Sequence, residues 1–250
     1  MTFHADQLTQ DKFLDGRLLI RQPKEGYRAA TDPVLLAAGC PAQSGESLLD
    51  IGCGAGTAAL CVSARVGELK LFGLELQSDY ATLAQQNAGE NGFAMEVRKG
   101  DLSNMPTAFK DRMFDHVIMN PPFFGPGTKA SNSGRALARQ EETELATWID
   151  AGLRRLRPRG WLTIIQAIER FPEVIVALDK RAGGIEIKPL SPRLGKATTR
   201  FVLRARKGSR AKTLLSYPLI LHEGDSHTVD TDSYTTEARA ILRQGAQLQF

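Results

Sequence analysis

An apolar run, Ser47 to Ile51, leads directly into glycines at positions 52, 54 and 56, and these lead into a helical pattern from Thr57 to Val66. Glycines at such a turn take backbone conformations that other residues avoid and let the chain come close to a neighbour. Strand, glycine turn and helix in succession open a βαβ unit, because parallel strands need a crossover where antiparallel ones need only a hairpin. The chain is thereby committed to helices laid over a parallel sheet.

The alternation continues downstream. Lys70 to Leu76 reads as a strand, Ser78 to Asn91 as a helix closed by Gly92, and Ala94 to Arg98 and Asp115 to Met119 as strands. Glu141 to Leu156 is the clearest helix, with Leu145, Ile149, Leu153 and Leu156 at helical spacing. Pro158-Arg159-Gly160 turns the chain into a strand from Trp161 to Gln166, and Phe171 to Lys180 reads as a helix. Two last strands, about Thr199 to Arg206 and Leu214 to His222, flank a turn at Lys207-Gly208-Ser209 and read as a hairpin. The expected fold class is α/β: a doubly wound, Rossmann-like sheet, mostly parallel, with a C-terminal antiparallel hairpin.

Ahead of the sheet, Arg17 to Ile20 between Gly16 and Pro23 suggests a small hairpin or strand. Thr31-Asp32-Pro33 reads as a helix start, a capping side chain followed by a proline in the first turn. We expect one domain over residues 1–250, with 1–40 an N-terminal extension and 41–250 the core. The polar stretch Pro126 to Arg139 is a loop long enough to be functional.

Composition narrows the class of partner. The 250 residues are 42% hydrophobic and 24% charged, with a net charge of +4. Between Glu186 and Glu223 no acid occurs, yet Lys188, Arg193, Lys196, Arg200, Arg204, Arg206, Lys207, Arg210 and Lys212 do. A one-signed segment such as 188–212 fits an anionic partner, nucleic acid before membrane; a solvated basic face is the plainer reading. Cys40, Cys53 and Cys61 form no Cys-x-x-Cys pair, and the histidines show no ligand spacing, so neither a disulfide framework nor a metal site is expected. The start, Met1 to Gln7, lacks the form of an export signal, and no apolar stretch approaches membrane-spanning length. A cytoplasmic location without a membrane is expected.

The strand at Val117 to Met119 ends in Asn120-Pro121-Pro122-Phe123. Two prolines end a strand, which leaves Asn120 at its carboxyl end, where open α/β sheets hold ligands. The Asn120 amide oxygen and the Pro121 carbonyl can accept both hydrogens of one planar NH₂ group, and Phe123 can stack on the ring that carries it. A conjugated amine is a poor nucleophile. Two acceptors on its hydrogens favour a pyramidal nitrogen and stabilise the charge that develops on attack.

The other strand ends are acidic. Asp50 precedes the glycines and could hold an ammonium; Glu75 has the place of a ribose-binding acid; Asp101 could accept from an adenine amino group. Each alone is more often a cap or turn residue. Together they describe a ligand with a cationic amino acid, a ribose and an adenine, and the glycine spacing departs from the dinucleotide Gly-x-Gly-x-x-Gly. That ligand is S-adenosylmethionine.

Asp-x-Gly-x-Gly-x-Gly, strand-end Glu, strand-end Asp and Asn-Pro-Pro-Phe, in this order, resemble the class I S-adenosylmethionine-dependent amino-methyltransferases. More narrowly, the chain from about Asp11 to Arg243 is similar to the bacterial tRNA (adenine-N6)-methyltransferases that modify a valine tRNA beside its anticodon. Gly26 to Leu36 looks like that family's segment ahead of the glycine loop. The resemblance implies that Gly52, Gly54 and Gly56 line the cofactor, with Asp50 near its methionine end, Glu75 at the ribose, and Asp101 with Leu102 at the adenine. It also implies that Thr31 and Asp32 close over the methionine end. Asn120 and Pro121, braced by Pro122, would orient the target amine, with Phe123, where the motif commonly has Tyr, stacking on its base. Three competing readings are a glutamine N5-methyltransferase acting on a translation factor, a nucleic-acid-binding protein without catalysis, and a small-molecule O-methyltransferase. The first usually carries an N-terminal helical domain; the second would have lost one of the two motifs.

Overall fold

The computed structural model describes residues 3–123, 143–225 and 233–250. Its centre is a sheet whose strands are buried on both faces, which is why they read as near-continuous apolar runs. Along each strand alternate residues go to opposite sides: Leu48, Ile118, Ile165 and Val202 to one core, Leu49, Val117, Ile164 and Leu203 to the other.

After a two-stranded N-terminal hairpin, β1 (Leu8–Phe13) and β2 (Leu18–Pro23), comes helix α1 (Asp32–Gly39). The sheet then builds as β3 (Ser47–Ile51), α2 (Thr57–Val66), β4 (Lys70–Glu75), α3 (Ser78–Glu90), β5 (Met95–Lys99), α4 (Thr107–Lys110) and β6 (Phe114–Met119). It continues with α5 (Leu145–Arg155), β7 (Leu156–Ala167), α6 (Phe171–Leu178), β8 (Ala182–Arg193) and β9 (Arg200–Lys207). Short strands β10 (Leu214–Leu215) and β11 (Leu219–His222) and helix α7 (Thr236–Gln244) end the chain.

The strand order is β10-β8-β9-β7-β6-β3-β4-β5, with β11 also on β8. All pairings are parallel except those of β9, which runs against both β7 and β8. Helices α1, α2, α3 and α7 contribute to one core, and α4, α5 and α6 to the other. Chain order reverses between β3 and β6. That is the switch point at which a doubly wound sheet opens a crevice beyond its strand ends.

Two expectations shift. The antiparallel hairpin exists one strand earlier, as β8–β9, and Leu214 to His222 does not fold back on β9: its two strands lie parallel on the far side of β8. Strand β8 has no counterpart in the sequence reading. The sequence obscures it with Gly183, Gly184, Pro189 and Pro192, residues that argue against a strand; here a register irregularity lies between Gly183 and Glu186. A Cβ at Gly183 would collide with the Ser209 carbonyl, so glycine is what lets the returning chain lie there. Thr31 also differs from expectation: its side chain caps nothing, and its carbonyl accepts from Val34 and Leu35. The Pro126–Arg139 loop lies outside the described residues.

The N-terminal hairpin is attached by side-chain amides. Asn91, at the C-terminal cap of α3, accepts from Leu19 N–H and donates to the Leu19 carbonyl, both at 2.9 Å; Asn87 does the same for Arg21 at 2.9 and 3.0 Å. Four residues apart, the two asparagines share one helix face, so they pair with alternate residues of β2 as a neighbouring strand would. Gln22 then grips Ala29 through both N–H and carbonyl, folding residues 24–28 back over the sheet. This places Tyr27.

Candidate active site

The parallel strands β3, β4, β5 and β6 deliver Asp50, Glu75, Asp101 and Asn120 to one end of the sheet. Between β3 and α2 the chain turns through Gly52, Gly54 and Gly56, at φ +71°, +53° and +85°. All three lie in the left-handed region that side chains disfavour. At Gly52 there is also no room: a Cβ would stand 2.6 Å from the Trp148 ring.

Glu75 is buried and accepts from Gly54 N–H and Gln77 N–H, both at 2.9 Å. Burial raises its pKa, and these backbone donors pull the other way. The carboxylate thus shapes the glycine turn while standing at the end of β4. Asp50 is buried too, and its Oδ2 meets no hydrogen-bond partner among the described residues. Burial, with Glu75 adding to it, pushes its pKa up to about 8. A buried carboxylate without a counter-charge is unfavourable; a bound ammonium would supply one. Asp101 lies at the mouth of a cleft with Gly52, Leu74, Leu76, Gly100 and Leu102, where one oxygen accepts from Ser103 N–H at 2.8 Å. The groups present fit S-adenosylmethionine: the free Asp50 oxygen would suit its ammonium, Glu75 its ribose, and Asp101 between Leu76 and Leu102 its adenine. Asp32 is ion-paired with Arg200 at the start of β9.

The Asn-Pro-Pro motif is held from two sides. Asn120 Nδ2 donates to the Tyr27 hydroxyl at 3.3 Å, so its Oδ1 remains an acceptor. The Tyr27 ring lies over Gly54, 3.6 Å from where a Cβ would be. Burial, with Asp32 and Asp50 facing it, holds the phenol protonated well above its usual range. Below, Gln166 at the end of β7 donates to the Pro121 and Pro122 carbonyls at 3.3 and 3.4 Å, and Arg170 to Pro122 at 3.1 Å. A carbonyl has two lone pairs, so Pro121 retains one. Phe123 is half-buried beside them. Sequence reasoning missed Tyr27, Gln166 and Arg170. Gln166 had a signal, a polar residue closing an apolar strand; Tyr27 lay within the segment that contributed Thr31 and Asp32.

The basic segment is less of a face than its composition suggested. Lys188 lies near Glu237, Arg193 donates to the Glu223 and Gly224 carbonyls, and Arg204 pairs with Glu186. Arg206 and Lys207 bond the Arg159 and Leu156 carbonyls. Lys196, Arg210 and Lys212 remain exposed. Arg135 and Arg139 lie outside the described residues.

A glycine turn at the switch point, acids at the neighbouring strand ends and Asn-Pro-Pro-Phe beyond the next strand define a class I S-adenosylmethionine-dependent methyltransferase. The chain belongs to the methyltransferase small domain family, whose model matches residues 31–171. It is similar to the tRNA1(Val) (adenine(37)-N6)-methyltransferase of Dickeya chrysanthemi, 25% identical across 97% of this chain and 98% of the relative. The enzyme of that name from Shewanella halifaxensis is 32% identical, over 58% of this chain and 59% of its own length. Among solved structures, a predicted O-methyltransferase from Agrobacterium tumefaciens is 28% identical, with a TM-score of 0.70, covering 87% of this chain and 98% of that one.

Proposed function

We propose that this protein transfers a methyl group from S-adenosylmethionine to the exocyclic N6 amine of an adenosine in tRNA, in the cytoplasm. Residues 41–250 would form the catalytic core and residues 1–40 the extension that covers the cofactor. The observation that carries the reading is Asn120, with its oxygen unengaged among the described residues, beside the Pro121 carbonyl and next to the glycine turn. The similarity to tRNA1(Val) adenine-37 methyltransferases along nearly the whole chain supports the adenosine and the tRNA. A hydroxyl acceptor, suggested by the name of the Agrobacterium protein, has only one hydrogen for this pair of acceptors. A glutamine side chain has two, but those relatives favour the adenine.

When bound, the cofactor supplies an electrophilic methyl group on a sulfonium. The protein's part is orientation. Asn120 Oδ1 and the Pro121 carbonyl would each accept one N6 hydrogen, freeing the nitrogen lone pair for attack, and Phe123 would stack on the extruded base. Asp50 would hold the ammonium of the cofactor and Glu75 its ribose hydroxyls. Incubating the protein with labelled S-adenosylmethionine and unmodified tRNA, then digesting the RNA, should give label in N6-methyladenosine. Label in protein glutamine, or none in RNA, would overturn the assignment.

Tyr27→Phe keeps the ring over Gly54 and removes the acceptor that fixes the Asn120 amide. A net hydrogen bond of about 1 kcal/mol corresponds to a kcat lowered roughly fivefold. The affinity for S-adenosylmethionine should stay unchanged, and an unaltered kcat would remove Tyr27 from the site.

Asp50 makes cofactor binding depend on pH. With its pKa near 8, the ligand-free protein holds this carboxyl protonated at pH 6, whereas an ammonium prefers it ionised. Affinity should therefore rise from pH 6 toward 8, by up to about tenfold per unit, and Asp50→Asn should flatten the profile in calorimetry. The sign for stability is the reverse. The folded carboxyl keeps a proton that the unfolded chain has released, so this group favours folding below the ordinary carboxylate range and that contribution is lost as pH rises toward 8.

A further inference from the structure

At the end of the sheet opposite Asn120, a cavity of about 630 Å³ opens between the last turn of α5, the start of β7 and the end of β9. Arg154, Arg159, Lys180, Arg181 and Lys207 line it with one acid, Asp150. That carboxylate is already shared between Arg154 and Arg181, at 2.8 and 2.6 Å. Arg159 and Lys180 are exposed. Burial lowers the Lys207 pKa, and Arg155 and Arg181 nearby lower it further.

Gly208 carries the chain out of this cavity onto a ledge. The ledge is fixed: Gly184 N–H donates to the Ala211 carbonyl at 3.0 Å, Ala211 N–H to Ser209 Oγ at 3.1 Å, and Gly183 lies directly against Ser209. From it Arg210 and Lys212 project into solvent, neither with an acidic partner among the described residues. The chain then climbs the outer edge of the sheet, where Leu214 and Leu215 are exposed and Tyr217 is 90% exposed. Rigidly presented cations leading to a solvent-facing aromatic ring suit a polyanion that also offers planar bases. The cavity and the ledge lie at the end of the sheet away from the methyl-transfer site; Tyr217, between Leu215 and Leu219, is level with Lys188, Val202 and Ile165 and is set apart from Asn120 by the width of β8, β9 and β7. From Arg159 to Gln166, β7 rises about 23 Å at roughly 3.3 Å per residue.

We propose that this surface, from Arg159 and Lys180 through Arg210 and Lys212 to Tyr217, holds the body of the tRNA while its target adenosine lies at Asn120. The inference rests on the tRNA reading above. The cations take backbone phosphates, and Tyr217 meets an unstacked base or sugar. A substrate held at both ends is measured as well as bound: an isolated stem-loop with the same target sequence reaches Asn120 but not the ledge.

The test compares two substrates, full-length tRNA and the isolated stem-loop that carries the target adenosine. The triple variant Lys180→Glu, Arg210→Glu, Lys212→Glu should lower kcat/KM for full-length tRNA by about tenfold or more and reduce its salt dependence. It should leave the stem-loop and S-adenosylmethionine affinity unchanged. Tyr217→Ala should weaken full-length binding, with Tyr217→Phe restoring it. Equal losses on both substrates, or none on either, would overturn the ledge. So would unaltered RNA kinetics with a changed oligomeric state, which would make the surface a protein interface. If the unaltered enzyme methylates neither RNA, the functional reading itself fails, a result distinguishable from all of these.

Discussion

Asn120→Ala should abolish nearly all methyl transfer, by about 10²- to 10³-fold in kcat, the scale at which a single group aimed at developing charge contributes to catalysis. S-adenosylmethionine affinity should change little, because Asp50 and Glu75, the buried groups proposed to hold the cofactor, keep their surroundings. The melting temperature should hold as well: Asn120 is half-buried, and its one described side-chain bond is the 3.3 Å contact to Tyr27. Turnover, isothermal titration and a thermal melt on one preparation separate the alternatives. An enzyme that binds cofactor normally and still turns over at the wild-type rate would remove Asn120 from the chemistry.

Gly52→Ala should be the most damaging small substitution in the cofactor turn. Its φ of +71° asks a side chain to adopt the left-handed region, at about 1–2 kcal/mol. Its Cβ would also stand 2.6 Å from the ring of Trp148, which is 2% exposed and held in the core. Overpacking of this kind adds about 1–3 kcal/mol. The sum lowers the melting temperature by roughly 5–15 °C for a chain of this size, and cofactor affinity falls with the displaced turn. Gly54→Ala is the control. Its φ is +53°, but its Cβ would meet Tyr27 only at 3.6 Å, so the backbone contribution stands alone. Equal melts for the two variants would mean that Trp148 yields without cost.

The alternation from Ser47 to Gln166 was legible because local pattern and tertiary demand agree there: both faces are buried, so each strand is an apolar run and each helix an interrupted one. Agreement fails at β8. Gly183 and Gly184 serve an approach of backbone to backbone, and Pro189 lies in β8 opposite the gap between Leu215 and Leu219, where β8 lacks an edge-strand partner. Both are facts about neighbours distant in sequence, and each reads locally as a strand breaker. The displaced hairpin follows from that single omission.

The site divides in the same way. Asp50, the glycines, Glu75 and Asn120 stand where strands end, and strand ends can be read. Tyr27 and Gln166 matter through what they touch, and those contacts are made across the fold: Tyr27 Oη meets an amide from β6, and Gln166 two carbonyls beyond it. Charge composition is an incomplete guide for a related reason. A run of cations says nothing of the acids and carbonyls that other elements bring to it, and Arg193, Arg200 and Arg204 each found such a partner.

The amide mounting of the N-terminal hairpin has a consequence for how such enzymes can diversify. Tyr27, whose hydroxyl meets the Asn120 amide, precedes the 31–171 stretch matched by the family model and follows directly on a hairpin fastened to the end of α3 by Asn87 and Asn91. Because no sheet register depends on that attachment, the hairpin is a replaceable fitting. Sequence change there can retune what faces the target base while the methyl-transfer chassis stays intact, so a preference for a new acceptor can arise without refolding the domain that performs the reaction.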